Sequence, residues 1–212
     1  MLEDLASLYS AVVADVLDAH GYPNQCLGPS VRPLTPSQRV FGRVFTLRAE
    51  VVHEIPEHPY ALEMEAIDSA ARGDVLVVDA AHDQTCAFWG ELLSTACLAK
   101  GVQGVIMTGC CRDLWSLNKL EFPVFGIGMS PADSKGRLDV VAIREPIVID
   151  GVSTRQGDYV LGDCDGVVII PQEVAASVIA AAKAKVSGEN TVREELAAGV
   201  PVSEVFRKHG IL

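Results

Sequence analysis

Residues 73–113 read GDVLVVDAAHDQTCAFWGELLSTACLAKGVQGVIMTGCCRD, and their alternation decides the fold class. Gly73-Asp74 turns the chain into an apolar run, Val75 to Val78, too hydrophobic to lie at a surface. After a loop, Ala80 to Phe88, the pattern predicts a helix from about Gly90 to Lys100, capped by Gly101. A second buried strand spans Gly104 to Thr108, and the turn Gly109-Cys110-Cys111-Arg112-Asp113 opens a short helix. This strand–helix–strand alternation argues for an α/β layer.

Working outward, Leu5, Leu8, Tyr9, Val12, Val13, Val16 and Leu17 repeat at helical spacing, and Gly21 and Pro23 stop that helix. Prolines 23, 29, 33 and 36 make 23–38 an extended loop; 39–48 reads as a strand and 61–72 as a helix. Pro123 to Met129 reads as a further strand. From residue 139 the runs are short: 146–149, 159–161 and 166–170 are β-type segments broken by Asp150-Gly151, Gly157-Asp158 and Asp165-Gly166. Pro171 opens a long helix, a charged helix at about 189–198 ends at Gly199, and a short one follows to His209. No linker, repeat or low-complexity stretch interrupts the chain, so 1–212 is expected to be one domain with a helical tail from about 172.

The formal net charge of −11 opposes binding to phosphate backbones, so no nucleic-acid partner is expected. No apolar run approaches a membrane span, and Met1-Leu2-Glu3-Asp4 lacks the basic start of a signal peptide, so a cytoplasmic protein is expected. The cysteines at 26, 86, 97, 110, 111 and 164 form no C-x-x-C pair, which argues against a zinc knuckle and for reduced, mostly buried thiols.

Two places carry chemistry. Gly90-Glu91-Leu92-Leu93 begins a helix, where free N–H groups suit a carboxylate or phosphate; most helix starts bind only water. Arg112-Asp113 follows the C-terminal end of a buried strand, the edge where α/β sheets bind ligands. Arginine grips a carboxylate through two hydrogen bonds, and aspartate is a hard oxygen ligand for Mg²⁺. The plainer alternative is a surface ion pair, or a helix cap from Asp113. An adjacent strand order would bring both helix starts to one edge. Amides, a guanidinium and a metal carboxylate together suit a small 2-oxo acid. His82-Asp83 precedes the first of these helices and reads as a surface loop pair that could reach substrate.

The stretch W-G-E-L-L-x₁₅-G-C-C-R-D, Trp89 to Asp113, resembles the RraA-like family. That family includes 4-hydroxy-4-methyl-2-oxoglutarate / 4-carboxy-4-hydroxy-2-oxoadipate aldolases and the proteins called regulator of ribonuclease activity A. Asp15-x-x-Asp18 with Gly21, Arg32-Pro33-Leu34, Gly73-Asp74 and Gly162-Asp163-Cys164-Asp165-Gly166 through Pro171 are similar to its landmarks, in their order. The resemblance implies a layered α/β/β/α sandwich like the swivelling phosphohistidine domain. It implies homotrimers or hexamers with sites at subunit boundaries, and a class II aldolase using Mg²⁺ or Mn²⁺ to stabilise a pyruvate enolate. Its expected substrates are 4-hydroxy-2-oxo dicarboxylic acids, with oxaloacetate decarboxylation as a side activity. By resemblance, Arg112 binds the substrate carboxylate, Asp113 leads to the metal, and the N–H groups of Leu92 and Leu93, beside Gly90, hold the pyruvate moiety. Glu91, with twenty residues between it and Arg112, stands where family members often carry Gly or Asp. Ser116 replaces a common acidic residue, and Glu91 is the candidate to take over its part. A carboxylate lent by a neighbouring subunit's C-terminal helix would be Glu189, or failing that Glu194. The rival expectation is a non-catalytic regulator of an RNA-processing enzyme. A methyltransferase is not supported, because Gly126-Ile127-Gly128 lacks the third glycine of a nucleotide loop.

Overall fold

The computed structural model describes residues 1–34 and 39–210, so Pro36 and the end of the expected extended loop lie outside the described residues. In chain order the elements are α1 (Leu2–Leu5), α2 (Ser10–Ala19), β1 (Arg32–Pro33), β2 (Val40–Val51), α3 (Ala61–Ser69), β3 (Asp74–Asp79), β4 (Ala87–Trp89), α4 (Glu91–Lys100), β5 (Gly104–Met107), β6 (Cys110–Cys111) and α5 (Leu114–Leu120). They continue through β7 (Val124–Gly126), β8 (Gly128–Met129), β9 (Leu138–Ile143), β10 (Ile147–Ile149), β11 (Val152–Thr154), β12 (Tyr159–Asp163), β13 (Gly166–Ile170), α6 (Ala175–Ala197) and α7 (Val202–His209). No helix among the described residues is long and apolar enough to cross a membrane.

The main sheet has the order β1-β7-β5-β3-β2-β12-β13, with β9 also paired to β2. β2, β3, β5 and β7 run parallel, the layer expected from the strand–helix alternation. β12, β13 and β9 join antiparallel. The sheet curls until its ends are bridged. Leu27 N–H donates to Val167 C=O at 2.9 Å and Ile169 N–H to Gln25 C=O at 2.8 Å, while β1, a few residues later, pairs with β7.

Side chains alternate across a strand, so each strand serves two cores. Val75, Val77, Ile106, Phe125, Val160 and Ile169 fill the interior of the curled sheet, which the β10–β11 hairpin plugs with Ile147, Ile149 and Val152. Leu76, Val78, Val105 and Met107 face outward against Ala66 of α3, Cys97 of α4 and Leu117 of α5. On the opposite side Leu161, Val168 and Ile170 meet Val13 and Leu17 of α2 and Val178 and Ile179 of α6. The result is the α/β/β/α sandwich. Each such side chain contributes roughly 1.5–3 kcal/mol by burial. Burial on both faces is why these strands read as continuous apolar runs.

Five local expectations change. The first helix is two, because the Asp163 carboxylate caps a new start at Ser10, accepting its N–H at 2.7 Å and its hydroxyl at 2.6 Å. The Ala80–Phe88 loop gives way to β4, starting at Ala87. The expected strand 123–129 divides between two sheets, Gly126 pairing with Arg32 and Gly128 with Cys110. β9 and β11, which the sequence does not announce, and β6, which lies inside the expected turn Gly109–Asp113, form through long-range pairing. The two expected tail helices are one, α6, which runs through Gly188. Glycine there costs about 1 kcal/mol. Packing against α2 and the ion pair of Glu195 with Lys208 of α7 at 2.5 Å hold the helix on both sides of it. Asp150-Gly151 behaves as read: both residues have positive φ, 50° and 83°, and close a two-residue hairpin between Ile149 and Val152. All six cysteines are outside disulfides; four are buried, and burial pushes the thiols of Cys86, Cys97 and Cys111 up to about 12.

Candidate active site

Beyond β3, β5 and β7 the chain enters a second, small parallel sheet, β4-β6-β8. Ala87 pairs with Cys110 and Trp89 with Cys111, and Arg112 N–H donates to Trp89 C=O at 2.9 Å. Gly90 and Arg112 therefore leave neighbouring strands side by side, and the starts of α4 and α5 share one edge, the arrangement that an adjacent strand order was expected to give. Trp89 is fully buried and fixes the start of α4: its indole N–H donates to Ser94 Oγ at 2.8 Å, and Ser94 Oγ donates to Gly90 C=O at 2.9 Å. Gly90 is required by space. A Cβ there would lie 2.8 Å from Asp113 Oδ2 and 3.3 Å from Arg112 Cγ.

Gly90, Glu91, Leu92, Leu93, Arg112 and Asp113 line one pocket of about 270 Å³. Asp113 has φ 62°, a left-handed conformation that aspartate and asparagine tolerate better than most residues. It does not cap α5 with its side chain. Its carboxylate turns across to α4, where Oδ2 accepts the Glu91 N–H at 3.2 Å. Among the described residues neither the Leu92 nor the Leu93 N–H has a protein acceptor, so two amides at the start of α4 remain for a ligand. The Arg112 guanidinium lies between two carboxylates, 3.3 Å from Asp133 Oδ1 and 3.8 Å from Asp113 Oδ2. Glu91 folds back along its helix, accepting from Thr95 Oγ1 at 2.9 Å.

The remaining candidates lie elsewhere in this chain. Ser116 spends its N–H on the Asp113 carbonyl and does not line the pocket. Glu189 accepts the Tyr9 hydroxyl on the face where α6 packs on α2. His82 lies 3.5 Å from Asp150, and Asp83 accepts from Thr85 and Cys86, closing their own loop.

The structure adds Tyr60, Glu63 and Asp133 to the pocket. Tyr60 O–H donates to Asp133 Oδ2 at 2.6 Å; burial first, then that bond, pushes its phenol up to about 12. Glu63 is 5% exposed. Burial, reinforced by Asp133 and Asp139 and opposed by Arg112, pushes its carboxyl up to about 8. Its signal was present in the sequence: Glu63, Ala66, Ile67 and Ala70 share helical spacing, which sets a carboxyl on an apolar stripe. Asp133 carries no such signal, because a loop brings it beside Ala87.

A raised carboxyl pKa has a definite linkage sign. Stability from the protonated form is complete below the ordinary value of 4.5 and is lost as pH rises through about 8. Glu63→Gln, titrated by thermal melting from pH 5 to 8.5, should gain on the wild type as pH rises, by on the order of 3 kcal/mol at the upper end. A difference that stays flat across that range would show that Glu63 is already ionised in the fold.

Among the described residues no three His, Cys, Asp or Glu side chains gather as a closed metal cage. The donor set instead fits a hard, water-rich cation such as Mg²⁺, which commonly takes one or two protein carboxylates. Asp113 lines the pocket with one oxygen held by an amide and, among the described residues, no donor on the other.

The family model for RraA-like proteins (Aldolase/RraA) matches residues 10–169. A Halalkalibacterium halodurans protein named "Putative 4-hydroxy-4-methyl-2-oxoglutarate aldolase" is 32% identical over 173 residues, 82% of this chain and 77% of that one. Protein DlpA of Legionella pneumophila is 27% identical over 94% of this chain, which spans 32% of that protein's length. Among solved structures, Streptomyces coelicolor RraAS2, described as an unusual member of the RNase ES inhibitor RraA protein family, superposes with a TM-score of 0.84 at 27% identity, over 92% of this chain and 96% of its own.

Proposed function

Because the chain belongs to the RraA-like family, we propose that it is a divalent-cation-dependent lyase that releases pyruvate from 4-hydroxy-2-oxo acids. In this proposal it also decarboxylates oxaloacetate through the same enolate. The observation that carries this reading is the meeting of Arg112, Asp113 and the two unbound amides of Leu92 and Leu93 in one pocket. The aldolase name borne by the Halalkalibacterium relative supports the same reaction class.

In this mechanism the substrate's 1-carboxylate takes the Arg112 guanidinium, displacing Asp133, and the amides of Leu92 and Leu93. Asp113 would hold the cation, which when bound supplies positive charge at the 2-oxo oxygen. The C3–C4 bond breaks, its electron pair passes to C3 as the enolate, and the 4-hydroxyl proton leaves to a water held by Glu91. The C4 fragment departs as an aldehyde or ketone, and protonation at C3 gives pyruvate. Oxaloacetate reaches the same enolate by loss of CO₂. Exposed Leu92 and Met64 at the pocket, with exposed Trp115 two residues after Asp113, support an oligomer that covers this edge. Within such a trimer or hexamer, Glu189 of another copy is our candidate for an added carboxylate.

The test is pyruvate release from oxaloacetate and 4-hydroxy-4-methyl-2-oxoglutarate with Mg²⁺, with Mn²⁺ and with EDTA. Release that stops with EDTA is expected. The RraAS2 relationship favours a second reading, a regulator that binds an RNA-processing enzyme. Folded protein that releases no pyruvate under any of these conditions would overturn the lyase and leave the regulator.

A further inference from the structure

Glu63 stands out among the titratable groups that the mechanism above does not use. The residue is 5% exposed and lines the pocket, and its carboxyl makes no side-chain hydrogen bond among the described residues. A polar group without a protein partner must be met by water or by a ligand, and the pocket that Glu63 lines is where a ligand atom would meet this one. Its surroundings limit what that atom belongs to. Asp133 lies on the same wall, so a second substrate carboxylate would meet like charge. Arg112 lies there too and opposes an ammonium. A hydroxyl carries no charge, and it both donates to and accepts from a carboxyl.

Resting on the lyase reading above, we propose that Glu63 is a specificity-determining contact that hydrogen-bonds a hydroxyl on the half of the substrate leaving as the aldehyde. On this reading the preferred substrates are hydroxylated 4-hydroxy-2-oxo acids rather than dicarboxylic ones. The protonated state of Glu63 near neutral pH agrees with this role, since a protonated carboxyl offers both a donor and an acceptor. Tyr60 acts through Asp133, whose carboxylate it orients against Arg112.

The experiment compares three substrates and one control in the intact enzyme with Mg²⁺. The substrates are 4,5-dihydroxy-2-oxopentanoate, 4-hydroxy-2-oxopentanoate and 4-hydroxy-2-oxoglutarate, which differ only at C5. Oxaloacetate is the control, because it reaches the enolate without the leaving half. The wild type should favour the dihydroxy acid over the other two by roughly tenfold or more in kcat/KM. Glu63→Leu should bring that ratio close to one, and Glu63→Gln, which still donates and accepts, should keep part of it. Both variants should decarboxylate oxaloacetate within about threefold of wild type, since the lost contact is on the leaving half. An unchanged ratio in Glu63→Leu, or a wild type that prefers 4-hydroxy-2-oxoglutarate, overturns the assignment of Glu63 while oxaloacetate turnover keeps the lyase reading alive. Absence of pyruvate from all four compounds overturns the lyase reading, and the role of Glu63 with it.

Discussion

Asp113→Asn should lose metal-dependent pyruvate release by about a thousandfold or more, the scale of several kcal/mol of charge stabilisation. Asparagine is the informative replacement. Asp113 has φ 62°, which asparagine adopts almost as readily as aspartate, so the start of α5 should survive. The amide also keeps an oxygen for the Glu91 N–H, now at 3.2 Å, and removes only the negative charge. Alanine should lose the same activity and add about 1 kcal/mol of destabilisation from a left-handed residue without a polar side chain. Oxaloacetate turnover across a Mg²⁺ titration, alongside melting temperature, separates the two effects. An Asn variant that retains a tenth of the wild-type rate at saturating Mg²⁺ would remove Asp113 from the site.

Arg112→Ala should cost roughly 2–5 kcal/mol of transition-state binding, about thirtyfold to several thousandfold in kcat/KM. The loss has two sources. The substrate carboxylate loses its two-pronged partner, and Asp133, now 3.3 Å from the guanidinium, is left without its cation. The second source reaches Glu63, whose ionisation Arg112 at present favours, so its carboxyl should move still further up in the variant. Arg112→Lys should recover only part of the rate, because an ammonium does not present the planar fork. The inhibition constant for pyruvate should rise in step with KM. Alanine kinetics close to wild type would show that the substrate carboxylate is held elsewhere.

Much of the site was legible because it rests on local patterns. The helix start at Gly90-Glu91 and the buried strand that ends near Thr108, four residues before Arg112, follow from apolar runs and glycine placement within residues 73–113. Glu63 was legible in principle, as a charge on the stripe with Ala66 and Ile67, but a sequence alone does not say that this stripe faces a pocket. Asp133 was not legible, since its place depends on Ala87 N–H finding the Ala132 carbonyl at 2.8 Å across 45 residues.

The sequence by itself determined the alternation of buried strands and helices and the residue types carried at the two helix starts. These follow from short-range periodicity and turn chemistry, which each segment carries alone. Only the tertiary structure decided how the sheet curls shut through Gln25 to Pro33, how 123–129 divides between two sheets, and which carboxyls surround Arg112. Those outcomes depend on pairings between distant segments. Strand partnership and the solvent exclusion that lifts the Glu63 carboxyl arise only when the layers close on one another.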